Sequence, residues 1–465
     1  MLITAAQLET GEVRDVRIAQ GLVAAIGSLA PEPGETVIDA KGGLLLPGLH
    51  DHHIHAAALA ASLTSARCGP PEVSDADAFA AALRATPGAG WLRGTGYHES
   101  VAGMLDAARL DQIVADRPVR VQHRSGRMWF LNSRALDILL ADHAPPPGLE
   151  REGGRFTGRL FDEDAWMKLA LGSHPPGLAA VGAILARRGV TGLTDMSPAN
   201  DAVMARHFAA QGADGSLRQR VLLAGRLDLA DTDMAGLVRL GPAKLHLHEA
   251  ELPDFDEAVA FMQKAHVQDR GVAVHCATEV ELVFTLAAFD AAGVHPGDRI
   301  EHASVSPDTA VAEIARLGLA VCSQPHFVAE RGDVYRADVE PELQPLLYRL
   351  AAFRDAGVTL AAGSDAPFGG PDPWASMAAA VSRRTRDGAL IGEAEALTPE
   401  EALDLYLRAP EALDQRRRVT VGAPADLCLI DRPWGRARKA LADVQVRAAW
   451  VDGRTIFDSV DQAPA

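Results

Sequence analysis

Four histidines lie within six residues near the N-terminus, in the segment GLLLPGLHDHHIHAAAL. The apolar run 44–46 just ahead of them is typical of a strand. Side chains two residues apart on a strand share a face, so His53 and His55 can both reach one metal ion, which imidazole binds well. His50 and His52 form a rival pair that lies earlier in the strand. Metal sites of α/β barrels gather at strand C-termini, which favours His53 and His55. The alternative is that these histidines are solvated turn residues.

Other polar side chains stand at the ends of later strand-like segments, each followed by a turn or helix. They are Lys244, His275, His302 and Asp365. Neutral imidazoles together with a carboxylate suit zinc or a related divalent ion. In the segment KLHLHE, Lys244 shares one face with His246 and His248, so one of these histidines is an alternative ligand. A salt bridge to one of the many acidic residues is an alternative role for the lysine.

The elements that must position these residues alternate between short apolar runs and helical patterns rich in Ala and Leu, as a parallel βα architecture requires. Strands are predicted at the histidine cluster and at 189–196, 220–227, 243–249, 271–277, 299–304, 319–325 and 359–367. Eight strands separated by helices close a barrel. The predicted fold class is therefore α/β, with a (β/α)8 TIM-like barrel at residues 48–417.

Two regions fall outside the barrel pattern. Residues 1–47 and 418–465 are strand-and-turn sequences, and we expect them to pair into one small β-sandwich domain built from both termini. Residues 60–187 hold more material than a helical crossover needs. An insertion of this length after the first barrel strand is predicted to form a lid or substrate wall.

Composition narrows the class of partner. The 465 residues carry 45 Lys and Arg against 62 Asp and Glu, a formal charge of −17, without a long basic run. Nucleic acid and anionic membranes are therefore not expected as partners. There is no apolar stretch of bilayer length, and the N-terminus alternates like a strand, so we expect a cytoplasmic protein that acts on a small molecule. A homo-oligomer is compatible with the sequence.

The four cysteines are widely separated and lie mostly in apolar, strand-like segments. They are Cys68, Cys276, Cys322 and Cys428. This distribution predicts reduced core residues and neither a disulfide framework nor a cysteine-based zinc site.

The order of several motifs resembles the amidohydrolase superfamily of metal-dependent hydrolases, in particular the branch of N-substituted formamide deformylases. PGLHDHHIH is similar to the opening motif of that branch, RIEHAS to its Glu-His-Ala strand and GSDAPFGGPDPWASMAAAVSR to its Ser-Asp-Ala-Pro segment. RPVRVQ…LNSRAL, LTPEEALDLY and GAPADLCLID also match its wording. The similarity covers nearly the whole chain.

The resemblance implies a pair of metal ions, expected to be Zn²⁺. His53 and His55 would hold the more buried ion, and His275 and His302 the more exposed one. Lys244, carboxylated by carbon dioxide, would bridge both. A bare ammonium cannot ligate a cation, whereas a lysine carbamate supplies two anionic oxygens. Asp365 would complete the shell of the buried ion and contact the attacking hydroxide.

The implied mechanism follows from the behaviour of bound metals. A divalent ion lowers the pKa of bound water to about 7, which supplies hydroxide at neutral pH, and a second ion polarises the substrate carbonyl. Asp365 would take the proton and pass it to the leaving nitrogen. We expect hydrolysis of a C–N bond in an amide, an N-acyl, an N-formyl or a cyclic amide compound. Ester or lactone cleavage would use the same groups.

Substrate choice is expected to come from loops and from the insertion. The candidate substrate-binding residues are Tyr97, His98, Arg127, Trp129, His248, Gln324 and His326, each with a structural role as the alternative. Where the branch carries Asp-Gly-His, this chain reads Ser125, Gly126 and Arg127. A guanidinium at that position favours a substrate that bears a carboxylate, because the two groups pair bidentately.

Two rival functions belong to other classes. A deaminase of the same superfamily would use a single metal and would typically lack the bridging lysine, so the number of metal ions per chain separates the two. A non-catalytic scaffold would have lost its metal ligands, and this chain retains the candidate ligands.

Overall fold

The computed structural model describes residues 1–70, 72–172 and 175–459. The chain divides into two compact units. The barrel unit comprises Met1–Ala56 and Gly177–Ala465, and the inserted unit comprises Ala57–Pro176. Among the described residues, no helix is both long enough and apolar enough to cross a membrane.

The barrel unit begins with a four-stranded sheet of order β3-β2-β1-β4. Its strands are β1 (Leu2–Gln7), β2 (Val13–Ala19), β3 (Leu22–Gly27) and β4 (Val37–Asp39). The next strand, β5 (Leu45–Pro47), belongs to another sheet. The apolar run 44–46 was expected to lead directly into the histidine strand. Instead, residues 45–47 form a separate strand in a different sheet. Pro47 and Gly48 separate the run from the first barrel strand, β6 (Leu49–Ile54).

The inserted unit contains a mixed six-stranded sheet of order β11-β12-β10-β9-β8-β7. Its strands are β7 (Ala66–Arg67), β8 (Leu92–Tyr97), β9 (Val119–His123), β10 (Met128–Leu131), β11 (Leu149–Glu152) and β12 (Arg155–Phe161). The associated helices are α1 (Ala56–Leu63), α2 (Ala76–Ala85), α3 (Glu99–Ala102), α4 (Ala107–Ile113), α5 (Ser133–Asp142) and α6 (Asp164–Ala170). Buried side chains such as Phe79, Leu110 and Phe130 form a core that belongs to this unit alone. Its function as a lid or substrate wall stays a prediction.

The barrel sheet continues after the inserted unit. Helix α7 (Ala179–Arg187) leads into the parallel strands β13 (Val190–Asp195), β14 (Arg220–Gly225), β15 (Val238–Leu245), β16 (Val272–Cys276), β17 (Arg299–His302), β18 (Ala320–Ser323) and β19 (Leu360–Ala362). The helices between them are α8 (Ala202–Ala213), α9 (Phe255–Val267), α10 (Glu279–Ala292), α11 (Asp308–Leu317), α12 (His326–Asp338) and α13 (Leu350–Asp355). A short 3-10 helix, Leu227–Asp231, connects β14 to β15.

The last and first strands of this sheet meet. Just beyond β19, the backbone N–H of Asp365 donates to the carbonyl of His53 over 2.6 Å, which brings the two ends of the sheet together. The predicted (β/α)8 barrel is confirmed, with its strands in sequence order around the sheet.

The chain ends in a second four-stranded sheet, which also includes β5. The elements that follow β19 are α14 (Pro373–Ser382), α15 (Pro399–Leu407) and a hairpin of β20 (Arg408–Ala409) and β21 (Ala412–Arg416). The sheet itself consists of β5 with β22 (Leu427–Ile430), β23 (Val446–Val451) and β24 (Arg454–Asp458). Helix α16 (Trp434–Ala437) lies between β22 and β23 in the chain. Side chains from both four-stranded sheets, including Ile3, Leu45 and Trp450, share one hydrophobic core. The exact boundaries 1–47 and 418–465 stay a prediction.

All four cysteines are buried and free, as predicted. Burial raises the pKa of the Cys276 thiol to about 12, so this side chain remains a neutral core residue.

Candidate metal centre

An irregularity in β6 changes the direction in which the histidine side chains point. β6 pairs with β13 through Asp51 opposite Leu193 and then through Ile54 opposite Asp195. Three steps along β6 thus oppose two steps along β13, which is a β-bulge at His52 and His53. The bulge interrupts the alternation of side chains at the point where the strand approaches the cavity. His53 is almost completely buried and lines that cavity.

Two other donors occupy left-handed backbone. His302 has φ of 70° and Asp365 has φ of 52°, values that side-chain-bearing residues adopt at an energetic cost. The left-handed backbone at His302 changes the direction of its side chain. Glu301 and His302 are adjacent in the chain, yet both contact His53. Glu301 accepts a hydrogen bond from His53 Nδ1 over 2.5 Å, and the rings of His53 and His302 lie 4.8 Å apart. Regular strand geometry would send the two side chains to opposite faces.

His53, His55 and Asp365 form one cluster of donor atoms, all within 4.8 Å of one another. The Asp365 Oδ1 atom lies 3.4 Å from His53 Nε2 and 3.2 Å from His55 Nε2. Burial alone would raise the pKa of the Asp365 carboxyl, but the nearby imidazoles of His53 and His55 hold this pKa well below its usual range. Asp365 is therefore an anionic donor.

A second group of donors lines the same cavity. The ring of His275 lies 4.6 Å from that of His302 and 4.4 Å from that of His246. Lys244 lies with them on the cavity wall. Burial lowers the pKa of His302 to about 3, so this imidazole is neutral and free to ligate a cation. The alternative ligand His246 also lines the cavity, whereas His248 does not.

The histidines are oriented through their Nδ1 atoms. His53 Nδ1 is bonded to Glu301, His55 Nδ1 to Ser197 Oγ over 3.1 Å and His302 Nδ1 to Gln324 Oε1 over 2.8 Å. A neutral imidazole whose Nδ1 carries the proton offers the lone pair of Nε2 to a metal. All three contacts therefore leave Nε2 available for coordination.

Glu301 contacts the candidate donor His53 and is not among the site residues predicted from the sequence. Its carboxylate accepts hydrogen bonds from Arg299 over 2.5 and 3.1 Å in addition to the one from His53. Burial raises the pKa of Glu301, but Arg299 and His53 outweigh this effect and lower it well below its usual range. The sequence does contain one indication of this contact, an acid two residues after an arginine in an apolar strand. Two opposite charges buried inside a barrel must neutralise each other.

The residues present fit a divalent metal. The His53 Nε2 and Lys244 Nζ atoms are buried, and neither has a hydrogen-bond partner within the described part of the chain. Burial lowers the pKa of His53, but the carboxylates of Glu301 and Asp365 outweigh it and raise this pKa, so a positive charge is favoured beside Nε2. Burial also lowers the pKa of Lys244, which favours a neutral amine that can react with carbon dioxide.

Among the predicted substrate-binding residues of the barrel unit, two have structural contacts. Gln324 is fully buried and orients His302. His326 uses both ring nitrogens, with Nδ1 3.1 Å from Ser376 Oγ and Nε2 2.9 Å from the Ser364 carbonyl. His248 is exposed, and its ring lies 4.6 Å from that of His246.

Four predicted substrate-binding residues lie in the inserted unit, and each has partners there. The buried Tyr97 donates to the Gly103 carbonyl over 2.6 Å, and the Trp129 indole donates to Asp164 over 2.6 Å. Arg127 is exposed and pairs with both carboxylate oxygens of Asp162 at 2.8 Å.

His98 belongs to a small surface cluster with Glu99 and His123. The backbone N–H of Ser100 donates to His98 Nδ1, so the proton of a neutral His98 ring lies on Nε2, toward Glu99. His123 is held in the same way, with Ser125 N–H donating to its Nδ1. His123 Nε2 donates to the Glu99 carboxylate over 2.9 Å, and a protonated Nε2 offers no lone pair to a metal.

Comparison with known proteins identifies the family of the chain. The sequence matches the profile of the amidohydrolase family over residues 36–457. The chain belongs to the amidohydrolase family. Membership of the family confirms the resemblance seen in the motifs and makes this chain a hydrolase.

Individual relatives of this amidohydrolase cover almost its full length. It is 27% identical to an N-substituted formamide deformylase of Arthrobacter pascens and 23% identical to the putative amidohydrolase YtcJ of Bacillus subtilis (strain 168), with 97% of each chain covered in both cases. An uncharacterised metal-dependent hydrolase of Pyrococcus horikoshii OT3 has the same fold, with a TM-score of 0.76, 19% identity and coverage of 93% of this chain and 97% of that one.

Proposed function

We propose that this amidohydrolase is a metal-dependent enzyme that hydrolyses a C–N bond of a small molecule, in an amide, an N-acyl, an N-formyl or a cyclic amide group. The observation that carries the proposal is the meeting of His53, His55, Lys244, His275, His302 and Asp365 in one cavity of about 420 Å³. The deformylase relative acts on N-substituted formamides, which contain such a bond.

The donor set supports two divalent ions. His53, His55 and Asp365 would hold one ion, and His275 and His302 the other. A carboxylated Lys244 would bridge them, because its buried Nζ has no hydrogen-bond partner within the described ranges and lies among these donors. Zinc suits imidazole and carboxylate donors of this number. Bound divalent ions lower the pKa of water and polarise a carbonyl oxygen.

Asp365 performs the proton transfers. Its carboxylate accepts the proton of the attacking water and then donates it to the nitrogen of the breaking C–N bond, so an amine leaves neutral and a carboxylic acid remains. The Asp365 backbone is held by the bond from its N–H to His53, and His53 and His55 hold its side chain. The left-handed backbone at Asp365 aims the carboxylate at the cavity.

The test combines metal analysis with an Asp365→Asn variant and a panel of N-formyl, N-acyl, lactam and lactone substrates. We expect about two metal ions per chain and turnover of C–N substrates. In Asp365→Asn, kcat should fall by roughly 10²- to 10⁴-fold, the usual contribution of a general acid and base, with metal still bound.

The control is Asp338→Asn, at an exposed position on the end of α12. Full turnover by Asp365→Asn would contradict the role of this residue, and one ion per chain with ammonia release would favour a deaminase.

A further inference from the structure

One wall of the cavity is built by a single face of α12. Phe327, Arg331 and Tyr335 line the cavity at intervals of four residues along this helix. Side chains four residues apart on a helix lie one above the other. The stripe is therefore aromatic, cationic and aromatic, and it faces the space beside the metal donors.

The part of the wall next to this stripe is apolar. Val305, Leu347 and Tyr348 line it, and a backbone bridge between Val305 and Leu347 holds the two segments together. These side chains pack with Phe327 in one hydrophobic cluster. The Tyr348 hydroxyl is 3.2 Å from that of Tyr335 and is thus already partnered. The cavity therefore has an apolar surface that suits an apolar or aromatic substituent.

Arg331 is the cation of this wall. Its guanidinium carbon lies 4.1 Å from the centre of the Phe327 ring, and one of its Nη atoms donates to the Phe368 carbonyl. Within the described ranges it has no acidic partner, and its Nε and other Nη have no hydrogen-bond acceptor. Two other half-buried arginines do have acidic partners: Arg349 pairs with Asp308 and Glu395, and Arg416 with Glu9 and Asp404. Arg331 therefore presents unused donors to the cavity.

The position of Arg331 relates it to the reaction centre. Phe368, whose carbonyl accepts from Arg331, donates its own N–H to the Asp365 carbonyl over 2.8 Å. The Phe368 ring lies 5.9 Å from that of His55. The guanidinium is thus attached to the same turn that carries the proposed proton-transfer residue.

We propose that this amidohydrolase selects substrates that carry a carboxylate bound by Arg331 and an apolar or aromatic group packed against the apolar surface beside it, such as the N-acyl derivative of a hydrophobic amino acid. The inference rests on the proposed function and names its substrate class. A carboxylate accepts two parallel hydrogen bonds from a guanidinium, which neutral groups cannot match. Arg127, the cation predicted from sequence for this task, is already paired with Asp162.

Binding tests the inference without turnover. The purified protein is titrated by calorimetry with 3-phenylpropionate and 3-phenylpropanamide, which differ in charge at one end. We expect the carboxylate to bind about 10- to 100-fold more tightly, as a charged hydrogen-bonded pair allows. In Arg331→Gln, the ratio of the two affinities should fall by about tenfold or more. Arg336→Gln, exposed on the same helix, should keep it. Equal preference in wild type and Arg331→Gln, or no binding of either compound to wild type, overturns the inference.

Turnover separates this inference from the proposed function. With N-formylphenylalanine and N-formyl-2-phenylethylamine, we expect a higher kcat/KM for the first in wild type and a loss of that difference in Arg331→Gln. If neither compound is hydrolysed while the binding preference depends on Arg331, the proposed function fails and the carboxylate site remains. If both are hydrolysed equally by wild type and Arg331→Gln, the function remains and the carboxylate site fails.

Discussion

At the scale of single residues, the proposed metal centre depends on side chains that do not themselves line the cavity. Glu301 and Gln324 hold the Nδ1 atoms of His53 and His302, and so determine which nitrogen of each ring is free. Partners of this kind often matter for metal affinity nearly as much as the ligands do. Gln324 offers the cleaner test, because Glu301 also neutralises the buried Arg299.

Gln324→Leu removes the acceptor and leaves His302 Nδ1 without a partner. We expect metal affinity at the site to fall by about 10- to 100-fold, the usual cost of losing such a partner, because the ring is no longer held with Nε2 toward the cavity. A titration of the metal-free protein against a chelator of known affinity measures the change.

The matched variant is Gln324→Glu, which keeps an acceptor at the same place and should bind metal close to the wild-type level. Far-UV circular dichroism checks that both variants fold. Equal metal affinity in Gln324→Leu and Gln324→Glu would show that the contact to His302 does not orient the ring.

The sequence indicates the proposed metal donors more clearly than the residues that orient them. The residues His53, His275 and His302 can be anticipated because each stands near the end of a strand, and parallel strands present those ends to one cavity. The roles of Glu301 and Gln324 could not be anticipated. They depend on which side chains meet across strands that are far apart in sequence, His53 and Glu301 being 248 residues apart.

At the scale of elements, periodicity identifies the barrel strands but not their irregularities. The fourth strand begins at Val238, five residues before the predicted start at 243. Gly241 and Pro242 look like a turn in the sequence, yet they lie inside β15, where its pairing with β14 shifts register. Proline is tolerated in strands at such irregular positions. The bulge in β6 is likewise invisible to a pattern of period two.

Closure of the barrel depends on Gly363, which directly follows β19. A Cβ at this position would lie 2.2 Å from His53 N and 2.5 Å from His53 Cβ. Backbone atoms cannot move aside as a flexible side chain can. Gly363→Ala should therefore lower the free energy of unfolding by about 1–3 kcal/mol or more, as overpacking does, and should also weaken metal binding by displacing His53. Urea unfolding with and without a chelator measures both effects.

Gly435→Ala is the control for that substitution. Gly435 lies in α16, and its added Cβ would meet no atom within 4 Å. We expect the stability of this variant to change by no more than about 0.5 kcal/mol, as for other surface substitutions. A Gly363→Ala protein as stable as Gly435→Ala would mean that β6 and β19 can separate without cost.

At the scale of the whole molecule, the chain carries separate hydrophobic cores in its two units. All proposed metal donors lie in the barrel unit, whereas the core around Phe79, Tyr97 and Phe130 lies entirely within Ala57–Pro176. A ligand stabilises only the structure that binds it. At a free concentration one hundred times its Kd, a metal ion adds about 2.7 kcal/mol to the unit that holds it.

We therefore expect two calorimetric unfolding transitions, of which a chelator lowers only one. Phe79→Ala assigns the other, because removing a buried ring that packs 5.0 Å from Tyr97 should cost the inserted unit about 3–5 kcal/mol. The chelator-sensitive transition should stay in place in that variant. A single transition that moves with both the chelator and Phe79→Ala would show that the two cores unfold cooperatively. In that case, metal binding would stabilise the inserted unit as well as the barrel.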